Sequence, residues 1–135
     1  MGFTWKSDPQ DERFEIRPST ILGGGLGLFA ARDLAEGEEL EVVGPRVLAG
    51  SIEDQCTNYA DSHKFRLGDH LILPFGFAGM VNHSDAPNMV RLIQQDRVLL
   101  KTLRQVNRGE ELFHQYVPRA RIYFDPVKPN NNEDI

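Results

Sequence analysis

The sequence predicts a mostly β protein built from several short strands with a few short helices. Two observations carry this. Short apolar runs recur between Gly, Pro or Asp, and no segment keeps a helical apolar period for three turns between convincing caps. A third observation sets the scale: at 135 residues, 40% apolar and 26% charged, the chain is one ordinary domain able to bury a core without a metal or disulfide.

Taken in order, residues 1–13 are polar and acidic after Trp5 and are expected to form a tail, with the folded domain over 14–117. Gly23-Gly24-Gly25-Leu26-Gly27-Leu28-Phe29-Ala30 is a glycine-rich turn running into apolar residues, where a ligand can approach the backbone because no Cβ intervenes. As a phosphate loop it is poor, since no Lys-Ser/Thr follows and the third glycine of the dinucleotide fingerprint is missing. A plain turn and a ligand cradle both fit this segment taken alone.

Arg32-Asp33-Leu34-Ala35-Glu36-Gly37-Glu38-Glu39-Leu40 is echoed by Arg104-Gln105-Val106-Asn107-Arg108-Gly109-Glu110-Glu111-Leu112. Both copies read as strand, tight turn with Gly at positive φ, then another strand. Short helices are expected at Ile52 to Asp61 and around Phe77 to Val81. Phe65-Arg66-Leu67 and Leu71-Ile72-Leu73 flank Gly68-Asp69 as one hairpin, and Met89 to Ile93 and Val98 to Leu103 flank Gln94-Gln95-Asp96-Arg97 as another. Val117-Pro118 halts the strand that leads to Tyr116, and 118–135 is expected to be a second tail.

The net charge of -5 and pI near 5.3 argue against a nucleic-acid backbone as principal partner and suit a basic peptide. The lone Cys56 cannot close an intrachain disulfide or build a thiolate zinc cluster, and is expected to be a buried or half-buried thiol. The N-terminal residues lack the apolar core of a secretory signal, and the run Leu71 to Val81 is broken by Pro and Gly. An intracellular protein is expected, cytoplasmic, or nuclear if from a eukaryote or its virus, with no membrane partner.

Asn82-His83-Ser84-Asp85-Ala86-Pro87-Asn88 sets polar residues directly behind an apolar segment, where they must find partners or serve a ligand. His63, His70, His83 and His114 show no zinc spacing, so no metal is expected. Ser84 lacks the Gly-x-Ser-x-Gly setting of a nucleophile and reads as bonding nearby backbone. Tyr116 at a strand end reads, by itself, as core with a satisfied hydroxyl.

Together, Gly-Leu-Gly-Leu-Phe-Ala, Asn-His-Ser-x-x-Pro-Asn and Gly-Glu-Glu-Leu-x-x-x-Tyr, in that order from Phe14 to Tyr116, resemble the SET-domain protein lysine methyltransferases. The resemblance implies small curved sheets with a pseudoknot-like threading that brings the Asn82 and Tyr116 segments together. It implies S-adenosyl-L-methionine as cofactor, held by Gly25, Leu26, Gly27 and Asn82, with the His83 backbone near the adenine. It implies a lysine of a protein or peptide entering from the opposite face, with Tyr116 as the catalytic tyrosine.

The chain departs from the family pattern in four ways. It has no cysteine-rich zinc regions, it carries Asp85 where many relatives have Cys, His114 stands where many carry Phe or Tyr, and Glu41-Val42-Val43-Gly44 lacks the Tyr that many relatives carry there. The expected channel lining is therefore Phe77, His114, Tyr59 and Tyr123, with Phe77 and Tyr59 equally readable as core. These departures leave a SET-like module that binds peptide or cofactor without useful turnover as the second reading. A small β-barrel unrelated to methylation does not explain three ordered motifs.

Overall fold

A computed structural model describes residues 11–117. The described residues form ten short strands in four small sheets: β1 (Phe14–Pro18), β2 (Leu26–Ala30), β3 (Glu39–Val42), β4 (Arg46–Leu48), β5 (Phe65–Leu67), β6 (His70–Ile72), β7 (Asn82–His83), β8 (Met89–Gln94), β9 (Arg97–Thr102) and β10 (Phe113–His114). One α-turn, α1 (Ile52–Gln55), and two 3₁₀ segments, Asn58–His63 and Gly76–Met80, supply the short helices the sequence predicts.

Both predicted hairpins form. β5 and β6 pair antiparallel across Gly68, which supplies the positive φ of 64° that the two-residue turn requires. β8 and β9 pair from Met89↔Thr102 to Gln94↔Arg97, and β3 joins β9 on its other side to give the order β3-β9-β8. Along β8 the inward positions alternate as Met89, Arg91 and Ile93, the period of two of a half-buried strand. The main core gathers Leu28, Leu34, Phe65, Ile93, Leu100 and Leu112 from six different segments, each side chain contributing about 1.5–3 kcal/mol by its removal from water.

The sequence echo is also a structural pair. Gly37 and Gly109 have φ of 88° and 89°, and Leu34 and Val106 exchange both backbone hydrogen bonds at 2.8 and 2.9 Å. In each copy the first Glu of Gly-Glu-Glu-Leu folds back to accept the backbone N–H three residues earlier, Ala35 to Glu38 and Asn107 to Glu110. The two turns therefore brace one another.

The second copy leads into the crossing that positions the site. On one side Leu112 N–H donates to the Leu28 carbonyl at 2.8 Å and Ala30 N–H donates to the Glu110 carbonyl at 2.9 Å. On the other, β10 pairs parallel with β7, Phe113 opposite Asn82 and His114 opposite His83. Asn88, 4% exposed, fastens the crossing: its Nδ2 donates to the Glu111 carbonyl at 2.9 Å, and its Oδ1 accepts from Phe113 N–H at 2.8 Å. Residues 110–114 are thus held between two segments roughly thirty and eighty residues earlier.

One expectation fails. Cys56 is exposed, because it caps a single helical turn whose one buried side chain is Asp54, and the remainder of that turn faces solvent.

Candidate active site

β2 starts directly after the glycine turn, which closes when Ser19 N–H donates to the Gly25 carbonyl at 2.8 Å. The turn is tied down by Glu111, 5% exposed. Its Oε1 accepts from Thr20 N–H at 2.8 Å and Thr20 Oγ1 at 2.6 Å, and its Oε2 accepts from Ser19 Oγ at 2.8 Å and Asn82 Nδ2 at 3.1 Å. Burial pushes the Glu111 carboxyl up, but the bonds from Thr20, Asn82 and Ser19 outweigh it and hold the group below the ordinary glutamate range. Glu111 is therefore an anion at neutral pH.

Gly27 is required by this packing. A Cβ there would stand 2.3 Å from Glu111 Oε2 and 3.1 Å from Asn82 Nδ2. Gly25 differs: its φ is 71° and a Cβ would meet nothing within 4 Å, so its backbone borders open space. Asn82 Nδ2 also donates to the Leu26 carbonyl at 3.0 Å, so both amide protons are engaged and Oδ1 accepts from none of the described residues. An open glycine backbone, a free amide oxygen and a fixed carboxylate form a cradle suited to a cationic ligand with hydrogen-bonding ends.

A few residues on, Tyr116 is ringed by three of the four histidines. Ring centroids lie 5.2 Å away for His63, 5.3 Å for His83 and 5.1 Å for His114. The Tyr116 hydroxyl stands 3.4 Å from His63 Nδ1 and 3.4 Å from the Val81 carbonyl. Burial raises the Tyr116 phenol above its ordinary value, so it remains protonated at neutral pH.

The three imidazoles are not equivalent. Tyr116 N–H donates to His83 Nδ1 at 3.0 Å, so a neutral His83 carries its proton on Nε2 and donates it to Asp85 Oδ1 at 3.0 Å. His114 is 3% exposed, stacks on Phe65 at 5.3 Å, and has a buried Nδ1 with no hydrogen-bond partner among the described residues. Burial, then the nearby Arg91 charge, then His63 and His83 push its pKa down to about 3. Arg91 also lies over the Phe65 ring, its guanidinium 5.2 Å from the centroid.

The site residues expected from the sequence separate into groups. Gly25, Leu26, Gly27 and Asn82 come together at the cradle, while His83, His114 and Tyr116 come together one strand away. Phe77 lies in the main core, edge-on to Phe14 at 5.7 Å, which is the packing role the sequence left open for it. Tyr59 falls in the 3₁₀ segment Asn58–His63, its side chain outside the described part, and Tyr123 lies outside the described residues. Ser84 Oγ accepts from Ala86 N–H at 3.0 Å, the local backbone bond expected of it.

Sequence reasoning missed Glu111 and His63. The Gly-Glu-Glu-Leu echo hid the first, since the equivalent Glu39 is exposed and only the second copy turns its second Glu inward. His63 carries no local signal, because its meeting with Tyr116 spans 53 residues. Among the described residues no three His, Cys, Asp or Glu side chains group as a metal site, and no helix is long and apolar enough to cross a membrane.

Residues 25–117 match the SET domain family, and the chain belongs to it. It is similar to the histone-lysine N-methyltransferase trithorax of Drosophila virilis, 26% identical over 105 residues, covering 68% of this chain and 3% of that protein. It is also similar to the histone-lysine N-methyltransferase trr of Drosophila melanogaster, 31% identical over 105 residues, covering 68% of this chain and 4% of that one. The chain thus spans only a few per cent of the length of these curated relatives.

Among solved structures the fold is shared with Chaetomium thermophilum polycomb repressive complex 2 in an autoinhibited conformation bound to S-adenosylmethionine. That match has TM-score 0.64 and 20% identity, covering 84% of this chain and 16% of that one. A candidate histone methyltransferase of Plasmodium falciparum aligns with TM-score 0.61 and 22% identity, covering 78% of this chain and 94% of that one.

Proposed function

We propose that this protein transfers a methyl group from S-adenosyl-L-methionine to the ε-amine of a lysine in a protein substrate. The observation that supports it best is the convergence, through Glu111 and the β7–β10 pair, of three sequence-distant segments onto a cation-suited cradle beside a protonated tyrosine. When bound, S-adenosyl-L-methionine supplies an electrophilic methyl group on a cationic sulfonium.

The chain's own residues divide the remaining work. The backbone of Gly25, Leu26 and Gly27 and the free Oδ1 of Asn82 receive the polar amino acid end of the cofactor, and the His83 backbone lies toward the adenine. The Glu111 carboxylate favours a positively charged ligand in the cradle. Tyr116 orients the incoming amine with its hydroxyl, and such alignment is worth ~7 kcal/mol or more in a well-held pair. His114, uncharged, lines the lysine end with the Phe65 ring behind it. Tyr59 and Tyr123 are the other channel residues of this reading, with residues 14–117 as the catalytic domain and the first part of 118–135 completing the active site.

Lysine's ordinary pKa near 10.4 leaves only about one amine in 2,500 neutral at pH 7, so the site must favour deprotonation by desolvation and by repulsion from a nearby cation. The acidic chain suits a basic, lysine-bearing segment, and an intracellular protein substrate fits the relatives. Titration calorimetry with S-adenosyl-L-methionine tests the reading. Binding is expected in wild type and weakened about tenfold or more in Asn82→Ala, which strands ligand groups at a desolvated site. No binding at millimolar cofactor contradicts it.

A further inference from the structure

Lysine can reach this site only as an ammonium in most encounters, and the proton it sheds needs a destination. Tyr116 is a poor final acceptor, since a phenol that already holds its proton has no stable place for a second one. The three surrounding imidazoles offer the alternatives. His83 has both nitrogens occupied, Nδ1 by Tyr116 N–H and Nε2 by Asp85. His114 is almost fully buried against Phe65 and close to the Arg91 charge, both of which oppose a second positive charge on its ring.

His63 differs from both: its Nδ1 faces the Tyr116 hydroxyl at 3.4 Å, and the residue is half-buried, so it is open in part to solvent. Its position is fixed from the neighbouring residue. Lys64, fully buried, bonds the Asp54 carbonyl and carboxylate and, at 2.7 Å, the Asp61 carboxylate, which clamps the end of the 3₁₀ segment that carries His63.

We propose that His63 is the proton acceptor of this site, drawing a proton from the incoming lysine ammonium through the Tyr116 hydroxyl and returning it to solvent. One ammonium N–H bond breaks as an O–H bond forms at Tyr116, while the original Tyr116 O–H bond, which donates to the Val81 carbonyl at 3.4 Å in the resting site, turns to His63 and breaks as an N–H bond forms at His63 Nδ1. The products are a neutral amine with its lone pair, a neutral phenol and an imidazolium, which loses a proton to water from its exposed side. Among the described residues Tyr116 faces His63 directly, His114 and His83 pack against the same Tyr116 ring, and Lys64 with Asp54 and Asp61 holds the 3₁₀ segment that carries His63. Burial lowers the His63 pKa, which keeps it an unprotonated base at neutral pH.

The inference rests on the methyl-transfer reading, so its test has one arm independent of turnover. Histidine Cε1–H resonances, followed by NMR from pH 4 to 9, are expected to show His63 titrating below the ordinary histidine value. Its midpoint should shift in Tyr116→Phe, because the hydroxyl that faces Nδ1 is lost. An unmoved midpoint overturns the relay.

In the second arm, single-turnover labelling of mixed core histones and source-cell lysate is measured from pH 6 to 10. Wild type should lose about tenfold per pH unit below the His63 midpoint. His63→Gln should be about a hundredfold slower at pH 7 and approach wild type near pH 10, where lysine loses its proton unaided. A His63→Gln protein with wild-type rate and acid limb overturns the relay alone. A wild type that binds no cofactor and labels nothing overturns the methyl-transfer reading, and the relay falls with it.

Discussion

Glu111 Oε2 lies 3.1 Å from Asn82 Nδ2 and occupies the space that a side chain on Gly27 would fill. One carboxylate thus joins the glycine turn, the Asn82 segment and the threaded segment that carries it. Replacing Gly27 by Ala should displace it, costing about 1–3 kcal/mol of stability by overpacking and weakening cofactor binding. Gly25→Ala should cost only about 1 kcal/mol, since it meets a left-handed φ but no neighbour. Urea unfolding of the two variants checks the contrast, and equal losses would contradict it.

The same carboxylate sets a pH dependence. The Glu111 pKa is lowered in the folded state, so its stabilising contribution is fully present above the ordinary glutamate value of 4.5 and is lost as pH falls through the folded value. Wild-type stability should therefore decline below about pH 4.5, and Glu111→Gln should be less stable at pH 7 with a flatter acid limb. Parallel limbs in the two proteins would show that Glu111 ionisation is not coupled to folding.

Asn88→Ala removes the amide that fastens the crossing and leaves the Glu111 carbonyl and Phe113 N–H without their side-chain partner. The expected loss is about 2–4 kcal/mol, read from chemical denaturation. Leu112 N–H and Leu28 should exchange hydrogen for deuterium faster as the segment loosens. A loss below about 1 kcal/mol would mean that water replaces the amide.

Lys64→Met leaves Asp54 and Asp61 without the cation between them, at side-chain exposures of 1% and 12%. This should destabilise by about 3–5 kcal/mol, whereas Arg32→Met, at a surface pair with Glu38, should change stability by less than about 1 kcal/mol. Thermal unfolding at neutral pH distinguishes the two.

Much of this architecture was legible in the sequence because it is set locally. The Phe65–Ile72 hairpin follows from Gly68, the Met89–Thr102 hairpin from alternating apolar residues, and the paired turns at Gly37 and Gly109 from a visible echo. Threading could be reached only through resemblance, since the bonds of Leu112 to Leu28 and of β10 to β7 join segments that no period or spacing connects. The same limit hid Glu111 and His63, whose roles arise from partners about ninety and fifty residues away. Cys56 was misjudged because a thiol's general preference for burial says nothing about a helix too short to have an inner face for it.

The most direct measurement is transfer of a labelled methyl group from S-adenosyl-L-methionine to lysine in source-cell lysate and core histones by wild type and Tyr116→Phe. Wild type should label discrete proteins, with methyl-lysine identified by mass spectrometry. Tyr116→Phe should bind cofactor as tightly but label them about a hundredfold more slowly, because it retains the ring and loses the orienting hydroxyl. Equal labelling by the two proteins would contradict the placement of Tyr116 at the reacting centre.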